Sequence, residues 1–215
     1  MATILPRIYP ILDDSFLPKD GRSGYIHRLG RSMADAGVTL LEYRNKPGTD
    51  AVVLQDALAL RAAMPAGQVR LVMDDRVDVA LAADFDGVHV DTGDLPVLDA
   101  RRLLGAGRIV GTSAGDEAQL TAALATPADY ISFGPVFPTT TKQTSIAPIG
   151  IEGVRRFRVM AGPEAVLVAA AGITLEAAAA VLESGASAVA VAAAIFQKDN
   201  PAAEFRRWID ELEQG

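Results

Sequence analysis

Short runs of β-forming residues alternate with helical patterns along the whole chain, and this alternation limits the fold more than any other feature. The predicted strands are Ile8–Leu12, Thr39–Arg44, Val69–Met73, Gly87–Val90, Arg108–Thr112, Tyr130–Gly134, Ala165–Ala170 and Ser187–Ala192. An amphipathic helical stretch follows each of them, and several of these stretches end at a glycine, as helix C-termini often do. The eight βα units match the number that a closed parallel barrel requires.

A doubly wound sheet is the alternative architecture. It usually carries a Gly-rich fingerprint after its first strand, but the segment DDSFLPKDGRSG contains no GxGxxG. The last strands, AVLVAA and SAVAVA, are almost wholly apolar, as expected of strands covered on both faces. We therefore predict the α/β class, a (β/α)8 TIM barrel formed by residues 1–215 as a single domain, with its chemistry at the C-terminal ends of the strands.

Composition excludes several classes of function. Among 215 residues, 20 Lys and Arg stand against 27 Asp and Glu, and this net charge of −7 argues against nucleic acid or an anionic membrane as a partner. The absence of cysteine excludes disulfides, thiolate nucleophiles and zinc–sulfur sites. The opening MATILPRIYPILDD lacks a basic region followed by a long apolar run. We therefore expect no signal peptide, no membrane span and a cytoplasmic location.

Two cations follow the second predicted strand. Arg44 and Lys46 stand two positions apart at the expected mouth of the barrel, where such a pair suits a phosphate or a diphosphate. The same spacing also fits a strand end whose long side chains simply reach solvent. Both interpretations remain open for these residues taken alone.

Carboxylates follow the third and fourth predicted strands. Asp74 and Asp75 come after the third strand, and Asp94 comes after the fourth. Carboxylates from adjacent strand ends can hold Mg²⁺, which takes oxygen ligands and completes its shell with water and substrate phosphate. An Asp just before a helix is also a common N-cap, and the following Pro96 suits a first helical turn, so capping is the alternative for each Asp.

Hydroxyl groups and a lysine follow the fifth and sixth predicted strands. Ser113, beside Thr112, stands at a predicted helix N-terminus, where it suits an anionic oxygen or acts as a cap. Residues 134–149 are polar and lack apolar periodicity, and we interpret this long segment as a lid. Its candidates for binding an anion are Thr139, Thr140, Thr141 and Lys142.

Small-residue turns follow the last two predicted strands. Gly172 and the pair Ala192-Ala193 let backbone N–H groups approach a ligand, and barrels often bind phosphate at these two loops. Tight packing of helix on strand explains the same composition. Of the two histidines, His27 falls in a helical pattern, and His89 is interpreted as a hydrogen-bonded structural residue of the fourth strand.

Taken together, several motifs resemble the thiamine phosphate synthase family in order and spacing, from about Tyr9 to Phe196. The motifs are LEYRNK, DDRVDVAL, GVHVDTGDLP, IVGTSAG, DYISFGPVFPTTTK, AAAGIT and AVAVAAAIF. The resemblance implies a (β/α)8 barrel that joins a hydroxymethylpyrimidine diphosphate to a thiazole phosphate, with Mg²⁺ as cofactor. Its products would be thiamine phosphate and diphosphate.

The resemblance also assigns roles by motif. It places Arg44 and Lys46 on the diphosphate and Asp75 and Asp94 on Mg²⁺. Ser113 and Lys142 would act on the leaving diphosphate, as the catalytic pair. The residues expected around the thiazole phosphate are Thr139, Thr140, Thr141, Gly172, Ala192 and Ala193. The pyrimidine would lose diphosphate first, and the thiazole nitrogen would then capture the resulting cation inside a site that excludes water.

Five positions depart from the family's usual residues. Glu42 stands where Gln is common, Asn45 where Glu is common, and Asp74 where Asn is common. Ala171 replaces a common Gly, and Ala193 replaces a common Ser. Glu42 and Asp74 add two carboxylates at the expected substrate site, where they disfavour an anionic ligand unless Mg²⁺ or N–H donors of an aminopyrimidine balance them.

Other functions compete with this hypothesis. A thiazole tautomerase would share the barrel and the thiazole-phosphate pocket without a metal, and a non-catalytic homologue would bind a thiamine precursor without turnover. A sugar-phosphate isomerase fits the fold, but no convincing general base stands at a predicted strand end. The expected partners are small-molecule substrates, and a homo-oligomer is compatible with a barrel of this size.

Overall fold

The computed structural model describes residues 5–139 and 146–213. Its strands are β1 (Ile8–Asp13), β2 (Leu40–Arg44), β3 (Arg70–Asp74), β4 (Gly87–Val90), β5 (Ile109–Ala114), β6 (Tyr130–Phe133), β7 (Leu167–Ala170) and β8 (Ala188–Val191). Its α-helices are α1 (Arg22–Asp35), α2 (Asp50–Ala63), α3 (Val77–Ala82), α4 (Val97–Leu104), α5 (Glu117–Leu124), α6 (Gly150–Ala161), α7 (Leu175–Glu183), α8 (Ala193–Phe196) and α9 (Pro201–Glu213). A 3₁₀ turn, Asp14–Phe16, follows β1.

The strands form a closed parallel barrel in sequence order, so the predicted (β/α)8 architecture is confirmed. β1 closes the barrel by pairing with β8, with Ile8 opposite Val189, and pairs on its other side with β2, with Ile11 opposite Glu42. Because all strands run the same way, their C-terminal ends meet at one rim. The candidate residues that follow different strands are thereby brought to the same end of the molecule.

Alternation along the apolar strands divides the core into two layers. Leu40, Val72 and Val168 point into the barrel and pack in its interior cluster. Their neighbours Leu41, Leu71 and Leu167 point outward and pack beneath the helices. Side chains alternate between the two faces of each strand, although both faces are apolar. This alternation places Glu42 and Asp74 on the inner face above Leu40 and Val72.

Two local predictions are wrong. β5 continues through Ser113 to Ala114, and Asp116 rather than Ser113 caps α5, accepting a hydrogen bond of 2.8 Å from the backbone N–H of Gln119. Thr112 is buried and donates its hydroxyl to the Val90 carbonyl, so it is not at a helix N-terminus either. The small residues after β8 form the short helix α8, with Ala192 at its N-cap, instead of the predicted turn.

The membrane prediction concerns helix length and hydropathy. None of the helices within residues 5–139 and 146–213 is long and apolar enough to cross a bilayer.

Candidate active site

A cavity of about 460 Å³ opens at the C-terminal end of the barrel. Charged and hydroxyl side chains from β1 to β5 line one side, among them Asp13, Glu42 and Ser113. Small residues of the β7 and β8 loops line the other, including Gly172, Ala192 and Ala193. The cavity is therefore polar on the side formed by the first half of the barrel. On the side formed by the second half, the small side chains leave backbone atoms accessible to a ligand.

A second cavity of about 350 Å³ adjoins the first above β5 and β6. Both cavities are lined by Asp91, Ser113, Ser132 and Thr139. Together they give the site two adjacent compartments, as two substrates that react with each other would require.

The two predicted cations lie among carboxylates at the rim. Arg44 forms an ion pair with Asp13, and its Nε lies 3.6 Å from Asp74 Oδ2. Lys46 forms an ion pair with Asp75, and its Nζ lies 3.3 Å from Asp74 Oδ2 and 3.8 Å from Asp94 Oδ2. Arg44 lines the cavity, and both side chains are held by carboxylates instead of simply extending into solvent.

Asp75 and Asp94 face each other across the β3 and β4 loops and cap no helix. Pro96 occupies the N-cap of α4 and Arg76 that of α3, neither with a capping side-chain bond. Asp94 Oδ2 instead accepts the backbone N–H of Asp91 at 2.8 Å. The capping alternative is therefore wrong for both aspartates.

The environment of Asp75 disfavours ionisation of its carboxyl group. Burial, Asp94 and Asp74 together raise the pKa of Asp75 to about 7, although Lys46 opposes them. Its Oδ1 is buried, and among the described residues no donor hydrogen-bonds to it. The backbone at Asp75 is left-handed, with φ of 65°, which an Asp tolerates better than most residues.

Mg²⁺ fits this donor set when the substrate supplies further ligands. Two facing carboxylates with one unpartnered buried oxygen match the usual protein share of a Mg²⁺ site, which is one or two carboxylates completed by water and phosphate. A site supplied by protein alone is not present in residues 5–139 and 146–213, where no group of three or more His, Cys, Asp or Glu could hold a metal.

A hydrogen-bonded chain crosses the barrel interior below the rim. Glu42 Oε2 accepts the Tyr9 hydroxyl at 2.8 Å, and the Tyr9 and Tyr130 hydroxyls are 2.6 Å apart. His89 Nδ1 lies 3.0 Å from the Tyr130 hydroxyl, and its Nε2 lies 2.8 Å from Ser113 Oγ. The chain links β2, β1, β6, β4 and β5, and its two ends line the cavity.

Close packing at Gly111 makes this chain possible. A Cβ at Gly111, on β5, would overlap the Tyr130 ring and its hydroxyl. The Tyr130 ring also stacks on His89, with ring centroids 5.5 Å apart. Gly111 therefore leaves the space that brings Tyr130 within reach of both Tyr9 and His89.

Burial moves the protonation equilibria of this interior. Burial raises the pKa of Glu42 to about 7, with His89 and the Tyr9 hydrogen bond opposing it and Asp74 and Asp91 adding to it. Burial alone lowers the pKa of His89, but the Asp91 hydrogen bond and the Glu42 charge outweigh it, so the pKa is raised. Glu42 and His89 thus favour each other's charged forms.

The loops after β6 and β7 are joined backbone to backbone. The N–H groups of Val136 and Phe137 donate to the carbonyls of Ala170 and Ala171 at 2.9 and 3.1 Å. A Cβ at Gly172, whose φ is +71°, would lie 2.5 Å from the Pro138 carbonyl oxygen. Gly172 is therefore required for the close approach of these loops.

The structure brings most predicted site residues to this one cavity. Those that line it are Glu42, Arg44, Asp74, Ser113, Thr139, Gly172, Ala192 and Ala193. Lys46, Asp75 and Asp94 form a charged cluster beside it, joined to it through Asp74. Thr140, Thr141 and Lys142 lie outside the described residues, and with them most of the predicted lid. Sequence reasoning missed the contribution of Tyr9, Tyr130, Asp13 and Asp91, and it took His89 as structural although His89 also lines the cavity. The sequence signal that could have located them is the alternation of side chains along the strands, which places them on the inner face with Leu40 and Val72.

Comparisons with known proteins agree with this arrangement. The sequence profile of the family described as thiamine monophosphate synthase matches residues 8–195. A thiamine-phosphate synthase of Chloroflexus aurantiacus is 40% identical over 171 residues, covering 80% of this chain and 78% of the relative. One from Agrobacterium fabrum is 41% identical over 180 residues, covering 81% and 82%. The solved thiamine phosphate pyrophosphorylase from Pyrococcus furiosus superposes with a TM-score of 0.82 at 27% identity, covering 97% of this chain and 96% of that one.

Proposed function

The chain belongs to the thiamine monophosphate synthase family, and from this premise we propose that it is a transferase that makes thiamine phosphate. It transfers the hydroxymethylpyrimidine group from its diphosphate to the ring nitrogen of hydroxyethylthiazole phosphate. The bond from the pyrimidine's CH₂ to oxygen breaks, with its electron pair leaving on the diphosphate. The nitrogen lone pair of the thiazole then forms the new C–N bond.

One observation carries this proposal: two cations and two facing carboxylates stand together at the mouth of a two-compartment cavity. Arg44 and Lys46 are fixed there by ion pairs rather than free in solvent. A reaction that releases diphosphate needs this kind of charge where the leaving group develops its own. It needs no strong base.

Asp75 and Asp94 are the residues that would hold Mg²⁺. The chemistry that Mg²⁺ supplies in such a site is neutralisation of the charge on the departing diphosphate. Lys46 contacts Asp75 and lies near Asp94, so its ammonium partly neutralises the same pair.

The rest of the cavity suits the second substrate and the exclusion of water. Gly172, Ala192 and Ala193 present small side chains on the side opposite the rim carboxylates, where a thiazole phosphate would lie against backbone. Ser113, held by His89, faces both compartments. Lys142, with Thr140 and Thr141, would complete the site from the segment after Thr139.

The direct test is product formation. Purified protein incubated with both phosphorylated substrates and Mg²⁺ is expected to yield thiamine phosphate, followed by chromatography. Chelation of the metal by EDTA is expected to stop the reaction, and readdition of Mg²⁺ to restore it. Product no higher than in a protein-free blank would refute the proposed function.

The metal assignment predicts the behaviour of two variants. Asp75→Asn and Asp94→Asn each remove one carboxylate charge and should lower kcat/KM by about 100-fold or more, because the leaving-group charge is then poorly compensated. Asp84→Asn is a matched control for Asp75, since Asp84 also has a left-handed backbone, with φ of 53°, but lies before β4 at the other end of the barrel, where it pairs with Arg108. It should keep full turnover. Unchanged turnover in the first two variants would remove Asp75 and Asp94 from the proposed metal site.

The Glu42 and His89 pair favours a second candidate, a thiazole tautomerase. A carboxyl group with a pKa near 7 inside a cavity suits proton transfer. The rim cations and the facing aspartates speak against this candidate, because isomerisation releases no diphosphate. Metal-independent isomerisation of a thiazole phosphate tautomer, without thiamine phosphate formation, would favour it. Tight binding of both substrates without any turnover would instead indicate a binding homologue.

A further inference from the structure

We propose that Glu42 is the specificity-determining residue for the pyrimidine ring, and that it binds the edge of a 4-aminopyrimidine together with one proton. The edge in question is the exocyclic amine and the neighbouring ring nitrogen. This inference rests on the proposed function and adds to it how the ring is recognised.

The position of Glu42 suits an uncharged ring rather than a phosphate. It is the third residue of β2, deeper in the barrel than Arg44 at the rim, and it lines the cavity while only 3% exposed. A substrate whose diphosphate lies between Arg44 and Lys46 would extend its ring toward this depth. The ring would then meet the carboxyl group of Glu42.

The hydrogen-bonded chain leaves one oxygen of Glu42 open. Tyr9 donates its single proton to Oε2, so Tyr130 must donate to Tyr9. The Tyr130 oxygen then accepts from His89 Nδ1, which fixes that nitrogen as protonated. Among the described residues no hydrogen bond reaches Oε1 of Glu42, so this oxygen is available to a ligand.

Burial opposes the ionisation of Glu42 more strongly than any neighbouring charge, and the largest neighbouring charge, on His89, favours it. The groups that face it are Tyr9 and Asp13 from β1, Arg44 from β2, Asp74 from β3, His89 and Asp91 from β4 and its loop, and Tyr130 from β6. Three of these are carboxylates, and Arg44 and Asp13 are paired with each other. Burial together with Asp74 and Asp91 keeps the pKa of Glu42 about 7, so a proton is available at this site near neutral pH.

Hydrogen-bond complementarity requires that proton. A carboxylate offers two acceptors, whereas the aminopyrimidine edge offers one donor, the amine, and one acceptor, the ring nitrogen. A single proton, on Glu42 or on the ring nitrogen, converts this mismatch into two matched hydrogen bonds. A Gln at position 42 would already carry one donor and one acceptor, so it would need no proton.

Calorimetry with a ligand that lacks phosphate tests the proposal without a metal. The probe is 4-amino-5-hydroxymethyl-2-methylpyrimidine, titrated from pH 6 to 9 in pairs of buffers with different ionisation enthalpies, with the probe's own protonation measured separately. The wild type should take up one proton per ligand at pH 8.5, and its affinity should fall about tenfold per pH unit above the midpoint near 7. Glu42→Gln should bind without proton uptake, and its affinity should be constant from pH 7 to 9.

Two further variants assign the proton to Glu42. Asp91→Asn removes a neighbouring carboxylate of the same cavity and should keep the uptake, with the midpoint moved to lower pH because Asp91 raises the pKa of Glu42. Tyr9→Phe removes a hydrogen bond that stabilises ionised Glu42 and should move the midpoint to higher pH. Thermal melting of each variant shows that it is folded.

Three results would overturn the proposal. They are binding by the wild type without proton uptake, uptake that persists in Glu42→Gln, and no binding of the probe up to millimolar concentration. Its failure is distinct from failure of the proposed function. Protein that makes thiamine phosphate but binds the probe without a proton contradicts only this inference, whereas proton-coupled binding without product contradicts only the proposed function.

Discussion

Ala171 holds a left-handed backbone conformation, with φ of 71°, immediately after β7. A Cβ in this conformation approaches the following carbonyl oxygen, which costs about 1–2 kcal/mol. Hydrogen bonds from the β6 loop hold the residue there, since its carbonyl accepts the Phe137 N–H at 3.1 Å. Ala171 is therefore a strained residue at the edge of the cavity.

Relief of that strain predicts a stabilising substitution. Ala171→Gly should raise the free energy of unfolding by about 1 kcal/mol, after allowance for the greater freedom of Gly in the unfolded chain. The melting temperature should rise by about 2–4 °C. Ala170→Gly, one residue earlier in β7, is the matched control and should lower stability. A fall in melting temperature for Ala171→Gly would contradict the strain argument.

Single residues differ in how well sequence reasoning locates them. Arg44 ends a predicted strand, and Lys46, Asp75 and Asp94 follow predicted strands within four residues, so the topology alone brings them to one rim. Tyr9 and Tyr130 contribute through a contact between β1 and β6 on opposite sides of the barrel, with hydroxyls 2.6 Å apart. No local pattern encodes that distance, because it depends on the width of the barrel and on the missing side chain at Gly111.

At the scale of elements, the loops after β6 and β7 behave as one structure. Their paired backbones place Gly172 so close to Phe137 and Pro138 that only a residue without a Cβ fits. Sequence reasoning identified the β7 turn as a place for close approach but took a ligand as the partner. In the structure, Gly172 closely approaches the loop after β6, at Phe137 and Pro138.

Gly172→Ala should therefore disturb both stability and the thiazole side of the cavity. The added Cβ displaces the Pro138 segment, so we expect a loss of about 2–3 kcal/mol from strain and overpacking and a raised KM for the thiazole phosphate. Gly105→Ala is the matched control, because Gly105 has a similar φ of +78° but no heavy atom within 4 Å of the position that an added methyl group would take. It should lose only the cost of the backbone strain, with KM unchanged. Equal losses in the two variants, measured by denaturant unfolding, would contradict the close-approach argument.

The strands show what periodicity can and cannot predict. Their order and closure followed from the alternation of elements, and observed ends differ from predicted ones by at most two residues. Ser113 shows why such small errors matter, since two extra residues of β5 turn a predicted helix cap into a side chain that faces the cavity. The hydrogen-bond ladder with β6, which pairs Ser113 with Ser132, extends the strand there.

At the scale of the whole molecule, acidic charge is concentrated where the chemistry is proposed. A protein of net charge −7 places Asp13, Glu42, Asp74 and Asp91 around one cavity that also holds Arg44. The composition alone excluded only nucleic acid and anionic membranes as partners. The barrel converts that same excess of carboxylates into a local property, which anionic substrates must overcome through Arg44, Lys46 and a divalent ion.

The folded barrel should become less stable as pH rises, in a window set by Glu42. Its pKa is about 7 in the folded protein against an ordinary value of 4.5, so between these values the folded state binds more protons than the unfolded state. Glu42→Gln removes the part of this dependence that comes from Glu42, while Asp75, whose pKa is also about 7, keeps its own part. The variant's free energy of unfolding should match that of the wild type near pH 4.5 and exceed it increasingly up to pH 7, by at most about 3 kcal/mol. The difference in melting temperature should follow the same course.

A matched substitution separates burial from charge in this experiment. Glu152→Gln removes the same charge from an exposed position on α6 and should show no comparable gain between pH 4.5 and 7. A constant difference between wild type and Glu42→Gln across this range would contradict the raised pKa of Glu42 in the folded protein.

The contact between Gly111 and Tyr130 restricts how this pocket can be reshaped, whether by selection or by design. A larger residue at 111 needs a smaller one at 130, because the Tyr130 ring occupies the space of the missing Cβ. A smaller residue at 130 removes the hydroxyl between Tyr9 and His89. The hydrogen-bonded chain that ends at Glu42 is then interrupted. Positions 42, 111 and 130 are therefore expected to change together, so a library that varies them one at a time would sample mostly broken sites.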